Sequence, residues 1–479
     1  QTRLWALRQP LIGIDEALYL VVAQNLEQGR VLYADVWDHK PPTIYVFYQA
    51  LLHLEASARP IHACGLLFSL LSGGLIFWLG RRWFGTWSGV AAAWLWVVFT
   101  AEPWAVAHNT EVPLNLAQLA ALALLPAAGA SRRRGLRLSA AGAVMGLAFM
   151  TKYVIGAPFL AIAAWWTVRR FREAGRRAAA ADALALGGGF LAGLLPALGY
   201  ITWHGIWPEF LATGLAFNAG YVFVDTVRYF VNYGGAFILG YLRQQWPLWV
   251  LGGAGFVLLW CRRPAARPGE GPPRGLLTLW LAGCALAVVA PLKFLDHYFL
   301  LLIPGLCLLG AAPLADGAWP RRAKAAWAVA LAALPLPQPG RDVPRFQAEW
   351  ERLAPPAVER FYEPLLVGRY LRRHTAPSDR IFVWRSFDTD IYFHAERRPA
   401  GRFFFWPYLL RPPTPPGGQG AFRREFERHP PRYVVTGTDD NYRQYRFPWL
   451  EETMARDYEA ETVIGAHRIS RRKETTFRP

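Results

Sequence analysis

The side chains able to do chemistry in this sequence fall in a few short stretches, most of which set acid beside base. "GIDEALYLVVAQNLEQG" places Asp15 and Glu16 next to each other. "YADVWDHKPPT" then brings Asp35, Asp38, His39 and Lys40 up against two prolines. "AEPWAVAHNTEVPLNLAQ" carries Glu102, His108 and Glu111, "MTKYVIGAP" carries Lys152, and "KFLDHYFLLLIPG" carries Lys293, Asp296 and His297. A carboxylate within hydrogen-bond reach of a hydroxyl can take its proton. A lysine ammonium is a compact point charge suited to a phosphate oxygen. His39, His108 and His297 with nearby carboxylates are metal-ligand types, but no pair has ligand spacing on one helix.

The elements that must position these groups follow from the apolar runs. The chain has 479 residues, 53% of them hydrophobic and 15% aromatic, which argues against an ordinary soluble enzyme. Residues 60–80, 83–101, 112–130, 183–203, 244–260, 275–292 and 297–315 contain no Asp, Glu, Lys or Arg, and most approach the ~20 residues that cross a bilayer as a helix. Shorter stretches at 138–151, 153–168, 229–242 and 325–337 span with tilt or pair as shorter helices. The expectation is a mainly α protein, a polytopic bundle of about nine to eleven transmembrane helices.

Arginine clusters set the topology. "GRRWFG", "SRRRGLR", "VRRFREAGRR", "CRRPAARPGEGPPRG" and "PRRAK" occupy every second connection, and positive residues in short loops mark the cytoplasmic side. The outer face then receives residues 1–59, 102–111, about 151–152, 204–229, 290–297 and everything after about 338. The net charge of +18 is explained by this arrangement, so nucleic acid is excluded as a partner. Cys64, Cys261, Cys284 and Cys307 lack CxxC spacing and suggest neither a disulfide framework nor a zinc site.

With that topology, lysine usage becomes pointed. Of 52 Lys plus Arg only five are lysine, and Lys40, Lys152 and Lys293 all fall in outer connections, where cations are disfavoured. A phosphorylated ligand at the outer face accounts for them; the simpler account is that each snorkels from a helix end. Asp15 likewise is either a functional acid or the N-cap of an amphipathic helix on the membrane surface. Glu111 either acts on a ligand or complements a helix dipole. The domains expected are 1–338, the transmembrane part with its loops, and 339–479, a soluble outer α/β domain. In the latter "DRIFVW" and "RYVVTG" read as buried strands, 358–374 and 419–429 as helices, and "LLRPPTPPGGQG" as a loop.

These motifs, in this order and on this side, resemble those of the polytopic glycosyltransferases of the GT-C fold, the superfamily of protein O-mannosyltransferases and lipid A aminoarabinose transferases. They are most similar to the bacterial RgtA/B/C/D-like type. The resemblance covers roughly residues 12–315 and implies a sugar donor on a polyprenyl or dolichyl phosphate. Carried over by motif, Asp15 is the base with Glu16 beside it, Lys40 of the K-P-P turn contacts the donor phosphate, Lys152 is a second such lysine, and Glu111 lies near the acceptor. Asp38, His39, His108, Lys293 and His297 are accessory candidates. The acceptor is a lipid, glycan or protein hydroxyl, the reaction an inverting displacement, and the place a bacterial plasma membrane with the site facing the periplasm or exterior.

No cofactor is required on this reading, and a divalent metal is the less favoured option. The family's first transmembrane helix would precede Asp15; "QTRLWALRQPLIGI" is too short and charged for a span or signal peptide, so a preceding segment is expected. The alternatives are a solute transporter, a non-catalytic sugar-binding membrane protein, and a metal-dependent oligosaccharyltransferase-like enzyme. Transporters keep ionisable groups near the membrane midplane, whereas the spans here are clean.

Overall fold

Apolar runs without charge become helices because, away from water, each backbone amide must find its partner within the segment. The computed structural model describes residues 4–8, 10–126, 133–223, 227, 230–261, 274–315, 319–334, 362–410, 415, 417–438 and 446–474. Helices α1 (Ile14–Glu27), α2 (Thr43–Leu54), α3 (Arg59–Phe84), α4 (Thr86–Phe99), α5 (Glu111–Leu124), α6 (Arg134–Phe149) and α7 (Gly156–Trp203) come first. They are followed by α8 (Gly235–Cys261), α9 (Arg274–Val289), α10 (Ile303–Ala311) and α11 (Arg321–Ala332).

Helix α7 is two helices. At Gly175 φ is 78° and ψ −179°, a backbone that glycine adopts at no steric cost. Trp166 donates from Nε1 to Asp182 at 3.1 Å, 16 residues on, whereas straight helix would hold them about 24 Å apart. The chain therefore doubles back at Gly175, between the runs expected at 153–168 and 183–203. Asp182 also meets Arg170 at 3.2 Å and Arg134 at 3.8 Å, so one acid ties two arginine clusters together. The runs 229–242 and 244–260, expected as separate, instead merge into α8 after a π-helical turn at Phe230–Gly234. A lone Arg243 does not end a helix, since arginine is a good helix former whose head can reach a polar boundary.

The chain divides into two units. The helical unit comprises 1–6, 62–200 and 226–339. On its surface Leu70, Trp87, Leu160, Leu184, Leu191 and Leu195 are exposed, and apolar surface carried on successive helices faces an apolar solvent. Helix α3 is long and apolar enough to cross a bilayer. Helix α6 meets the returning half of α7 through glycines: a Cβ on Gly142 or Gly146 would run into the carbonyls of Leu186 or Phe190, and one on Gly189 or Gly193 into those of Ser139 or Ala143. Small residues four apart on both partners let membrane helices approach this closely. Gly142→Leu is expected to destabilise by at least the ~1–3 kcal/mol of an overpacked core, read as a lower melting temperature in detergent; an unchanged melting temperature would show that the contact contributes nothing.

The second unit, called here the tail unit, groups residues 7–61 and 201–225 with 340–479. The loops around α1 and α2 thus go with the tail. Its sheet contains β1 (Arg380–Trp384), β2 (Arg398–Pro399), β3 (Tyr433–Gly437), β4 (Tyr458–Ile464) and β5 (His467–Arg472) in the order β2-β1-β3-β5-β4. β1 runs parallel to β2 and β3, and β5 antiparallel to β3 and β4. The two strands expected from sequence are β1 and β3, whose Ile381, Phe382, Val434 and Val435 are buried. The hairpin β4–β5 was not expected: "YEAETVI" sends Glu459 and Glu461 outward and has no continuous apolar run. Helices α12 (Glu363–His374), α13 (Gly418–Arg428) and α14 (Pro448–Asp457) also belong to the tail. Residues 358–361 of the expected helix, and 411–414 and 416 of the expected loop, lie outside the described residues.

Candidate active site

In the tail unit two charged groups converge, one from the first turn of α1 and one from the end of the segment that joins α1 to α2. Helix α1 starts at Ile14 with Gly13 at the N-cap and no side-chain cap. Glu16 instead reaches back, its carboxylate accepting the Ile12 amide at 2.9 Å, and the residue is fully buried. This bond fixes the chain just ahead of the helix, and the N-cap position weighed for Asp15 is held by Gly13. Asp15 keeps a quarter of its side chain exposed and lies 3.6 Å from Lys40 Nζ. One turn on, the Tyr19 hydroxyl donates to it at 3.3 Å.

Tyrosines fix Lys40. Tyr33 donates its hydroxyl to the Lys40 carbonyl at 2.7 Å, the Lys40 amide donates to Tyr45 at 3.3 Å, and Nζ stands 4.9 Å from the Tyr19 ring centroid. Pro42 takes helical dihedrals at the N-cap of α2, a place where a missing N–H costs little. Tyr33 has φ 66°, a left-handed backbone that costs a bulky residue about 1–3 kcal/mol. The contacts around Tyr33 outweigh that preference.

The residues before Lys40 are anchored just as firmly. Asp38 is wholly buried; its Oδ1 accepts the His39 amide at 2.6 Å and the Tyr408 hydroxyl at 2.8 Å, with His39 Nδ1 at 3.0 Å. Burial pushes the Asp38 carboxyl up, but the bond with His39 and the Lys40 ammonium outweigh it and hold it well below the usual carboxylate range. For His39 burial dominates and pulls the imidazole down, which keeps it neutral at pH 7. Asp38 is thus a buried anion that offsets Lys40. Trp37 donates its amide to the Arg402 carbonyl at 3.0 Å and Nε1 to Thr213 Oγ1 at 3.1 Å. Its ring meets Phe217 and Tyr408 edge-on, each at 4.9 Å.

The helical unit holds a second acid–lysine pair. Glu111 opens α5, is fully buried, accepts the Thr110 hydroxyl at 3.0 Å and is ion-paired with Lys152. Lys152 Nζ also lies 3.9 Å from the Tyr298 ring centroid. Tyr298 sits in a 3-10 turn, Asp296–Leu301, not in one helix through 297–315 as expected. Asn115 and Gln118, further down α5, donate to the Leu300 and Leu301 carbonyls at 3.0 and 3.2 Å. These amides satisfy carbonyls of the 3-10 turn, and Pro304 stands in the first turn of α10 just after. Lys293 is buried between Leu292 and Phe294, both left-handed at φ 48° and 50°. Bulky residues in that region cluster at functional sites.

The remaining candidates separate. His108 is buried 5.7 Å from the Phe68 ring, and His297 stands edge-on to Tyr298 at 4.9 Å. Among the described residues no three His, Cys, Asp or Glu side chains gather as a metal site would need. Sequence reasoning named the charged members of both pairs and missed the groups that hold them: Tyr19, Tyr33, Tyr45 and Tyr408 in one unit, Tyr298, Asn115 and Gln118 in the other. Only Tyr19, one turn from Asp15 on the same helix face, was open to pattern reading.

Comparison with known proteins bears on both units. Residues 39–203 match the family model of dolichyl-phosphate-mannose-protein mannosyltransferases. The structure of ArnT from Cupriavidus metallidurans bound to undecaprenyl phosphate superposes with a TM-score of 0.63 at 17% identity, covering 99% of this chain and 96% of that one. Its apo form gives 0.62 at 15% identity, covering 97% and 95%. The oligosaccharyltransferase AglB from Archaeoglobus fulgidus, in complex with an inhibitory peptide and a dolichol-phosphate, gives 0.50 at 13% identity, covering 90% of this chain and 66% of that one. No protein of curated function matches the sequence. The chain therefore has the GT-C fold, a helical membrane bundle with a C-terminal domain. The family match takes in the K-P-P turn, Glu111 and Lys152.

Proposed function

We propose that this protein is a membrane glycosyltransferase that moves a sugar from a polyprenyl-phosphate carrier to an acceptor hydroxyl at the outer face of a bacterial plasma membrane, in one inverting displacement. The observation that carries the reading is the Asp15 carboxylate 3.6 Å from the Lys40 ammonium, a base beside a cation suited to phosphate. Asp15 takes the acceptor proton as the acceptor oxygen bonds to the anomeric carbon. The bond from that carbon to the phosphate oxygen breaks, and its electron pair leaves on the lipid phosphate. Lys40 meets the developing charge, so a protonating acid is not required. An incoming phosphate also draws the ammonium away from Asp15 and so raises the basicity of the carboxylate at the moment it is needed.

Glu111 and Lys152 are the acceptor-side acid and second donor-side lysine of this reading. The family match that spans both, and the relatives solved with undecaprenyl phosphate and dolichol-phosphate, support it. A transporter is disfavoured because the acid–lysine pairs lie in a loop and at helix ends, not along the interior of spans. The test is incubation of the purified protein with a panel of polyprenyl-phosphate sugars and extracted envelope lipids. The expected product carries the inverted anomeric configuration and forms at an unchanged rate in chelator. Retained configuration would overturn the single displacement; loss of rate in chelator, restored by a divalent ion, would overturn the metal-free route.

A further inference from the structure

Several arginines of the tail are paired with glutamates. Arg385 meets Glu451 at 2.7 Å, Arg402 meets Glu425 at 3.1 Å, Arg423 meets Glu427 at 2.9 Å and Arg471 meets Glu461 at 2.9 Å. Of the described arginines without an ion pair, three lie together. Arg380 and Arg398 open the neighbouring parallel strands β1 and β2 and are partners in register. Arg398 Nε donates to Gln28 Oε1 at 2.8 Å, which brings in Arg30, two residues further along the chain. Arg30 donates to the Asp35 backbone carbonyl and Arg380 to that of Ala400, both at 3.2 Å. These acceptors are neutral, and among the described residues none of the three guanidiniums forms an ion pair.

The nearest acids are otherwise engaged. Asp35 accepts the Val31 amide at 2.9 Å, and Glu425 accepts the Arg402 amide at 2.7 Å as well as its guanidinium. Burial and the neighbouring guanidiniums pull both Arg30 and Arg380 down from the usual arginine range. His429, at the end of α13, is pulled down by burial, Arg380, Arg428 and Arg30. Asp35 and Glu425 oppose this only in part; like charges brought together repel one another, whereas guanidinium forks match the oxygens of a phosphate with paired hydrogen bonds.

We propose that Arg30, Arg380 and Arg398 form an oxyanion site for a phosphoryl group, separate from the Asp15–Lys40 pair. Asp15 stands at the start of α1 and Arg30 just past its end, about 20 Å away along a helix of this length. The phosphoryl group belongs either to an anionic lipid headgroup or to a soluble phosphorylated ligand such as an acceptor glycan, which share the chemistry that the three guanidiniums recognise.

The experiment uses the full chain in nanodiscs of zwitterionic lipid, with inorganic pyrophosphate as the probe in calorimetry. Lys40→Ala serves as the background, so that binding beside Asp15 is removed. In that background pyrophosphate still binds, and Arg380→Gln with Arg398→Gln weakens it at least tenfold; Arg30→Gln, on a different segment, gives an independent loss. Absence of binding in the Lys40→Ala background, or equal affinity with and without the arginine substitutions, overturns the site and leaves the donor reading untouched. A second arm replaces part of the lipid with phosphatidylglycerol. Weaker pyrophosphate binding there, dependent on the arginines, supports the site with a lipid headgroup as occupant; unchanged binding supports it with a soluble phosphate.

Discussion

Replacing Asp15 with asparagine is expected to lower kcat for sugar transfer by about 10²–10⁴-fold, the range for loss of a general base. The substitution keeps the shape and leaves an oxygen to accept the Tyr19 hydroxyl bond, so expression and melting temperature should be preserved. Donor affinity should hold or tighten, because the ammonium of Lys40 no longer has a carboxylate at 3.6 Å competing with phosphate. Glu16→Gln makes the contrast. Glu16 is buried and engaged with the Ile12 amide, so its loss should lower stability more than kcat. Full transfer activity in Asp15→Asn would remove the base assignment altogether.

Lys40→Ala should cost about 10²–10³-fold in rate, the scale for one donor aimed at developing negative charge, and should weaken donor binding as well. The side chain is nearly buried and lies over Tyr19. Arginine is therefore no conservative replacement, since the planar fork is larger than the space an ammonium occupies. Alanine leaves Asp38 without a neighbouring cation, yet the bonds to Asp38 from the His39 amide and the Tyr408 hydroxyl persist, so the variant should still fold. Combined with Asp15→Asn the two effects should fall short of additivity, because directly interacting residues share one free energy. Donor affinity and rate both unchanged in Lys40→Ala would count against any role for it at the phosphate.

Much of this architecture was legible beforehand for a physical reason. Lipid leaves the chain few options, so charge-free runs and arginine clusters between them announce helices and their connections. The K-P-P turn was legible because proline fixes its own dihedrals, and Pro42 does start α2. What was not legible depends on contacts between segments far apart in sequence. Nothing near Lys152 announces Tyr298, and nothing in "DHYFLLLIPG" says that Asn115 and Gln118 will donate to the carbonyls of its first turns. The reversal at Gly175 was implied by arginines flanking a glycine but became definite only through Trp166 and Asp182. Asp15 and Glu16 show the limit most plainly: adjacent acids of like chemistry stand in opposite surroundings, Glu16 buried on the Ile12 amide and Asp15 partly exposed beside Lys40.

The bonds from Tyr408 to Asp38 and from Trp37 to the Arg402 carbonyl carry a consequence for how such chains diverge. A tail of this kind is not a cassette that recombination can exchange at a boundary near residue 339, because a foreign tail would arrive without the hydroxyl and carbonyl that seat Trp37 and Asp38. Chimeras should function only when residues 31–40 come from the same parent as residues 402–408. Over longer times those two short stretches are expected to drift together, leaving a trace of covariation between distant parts of the chain.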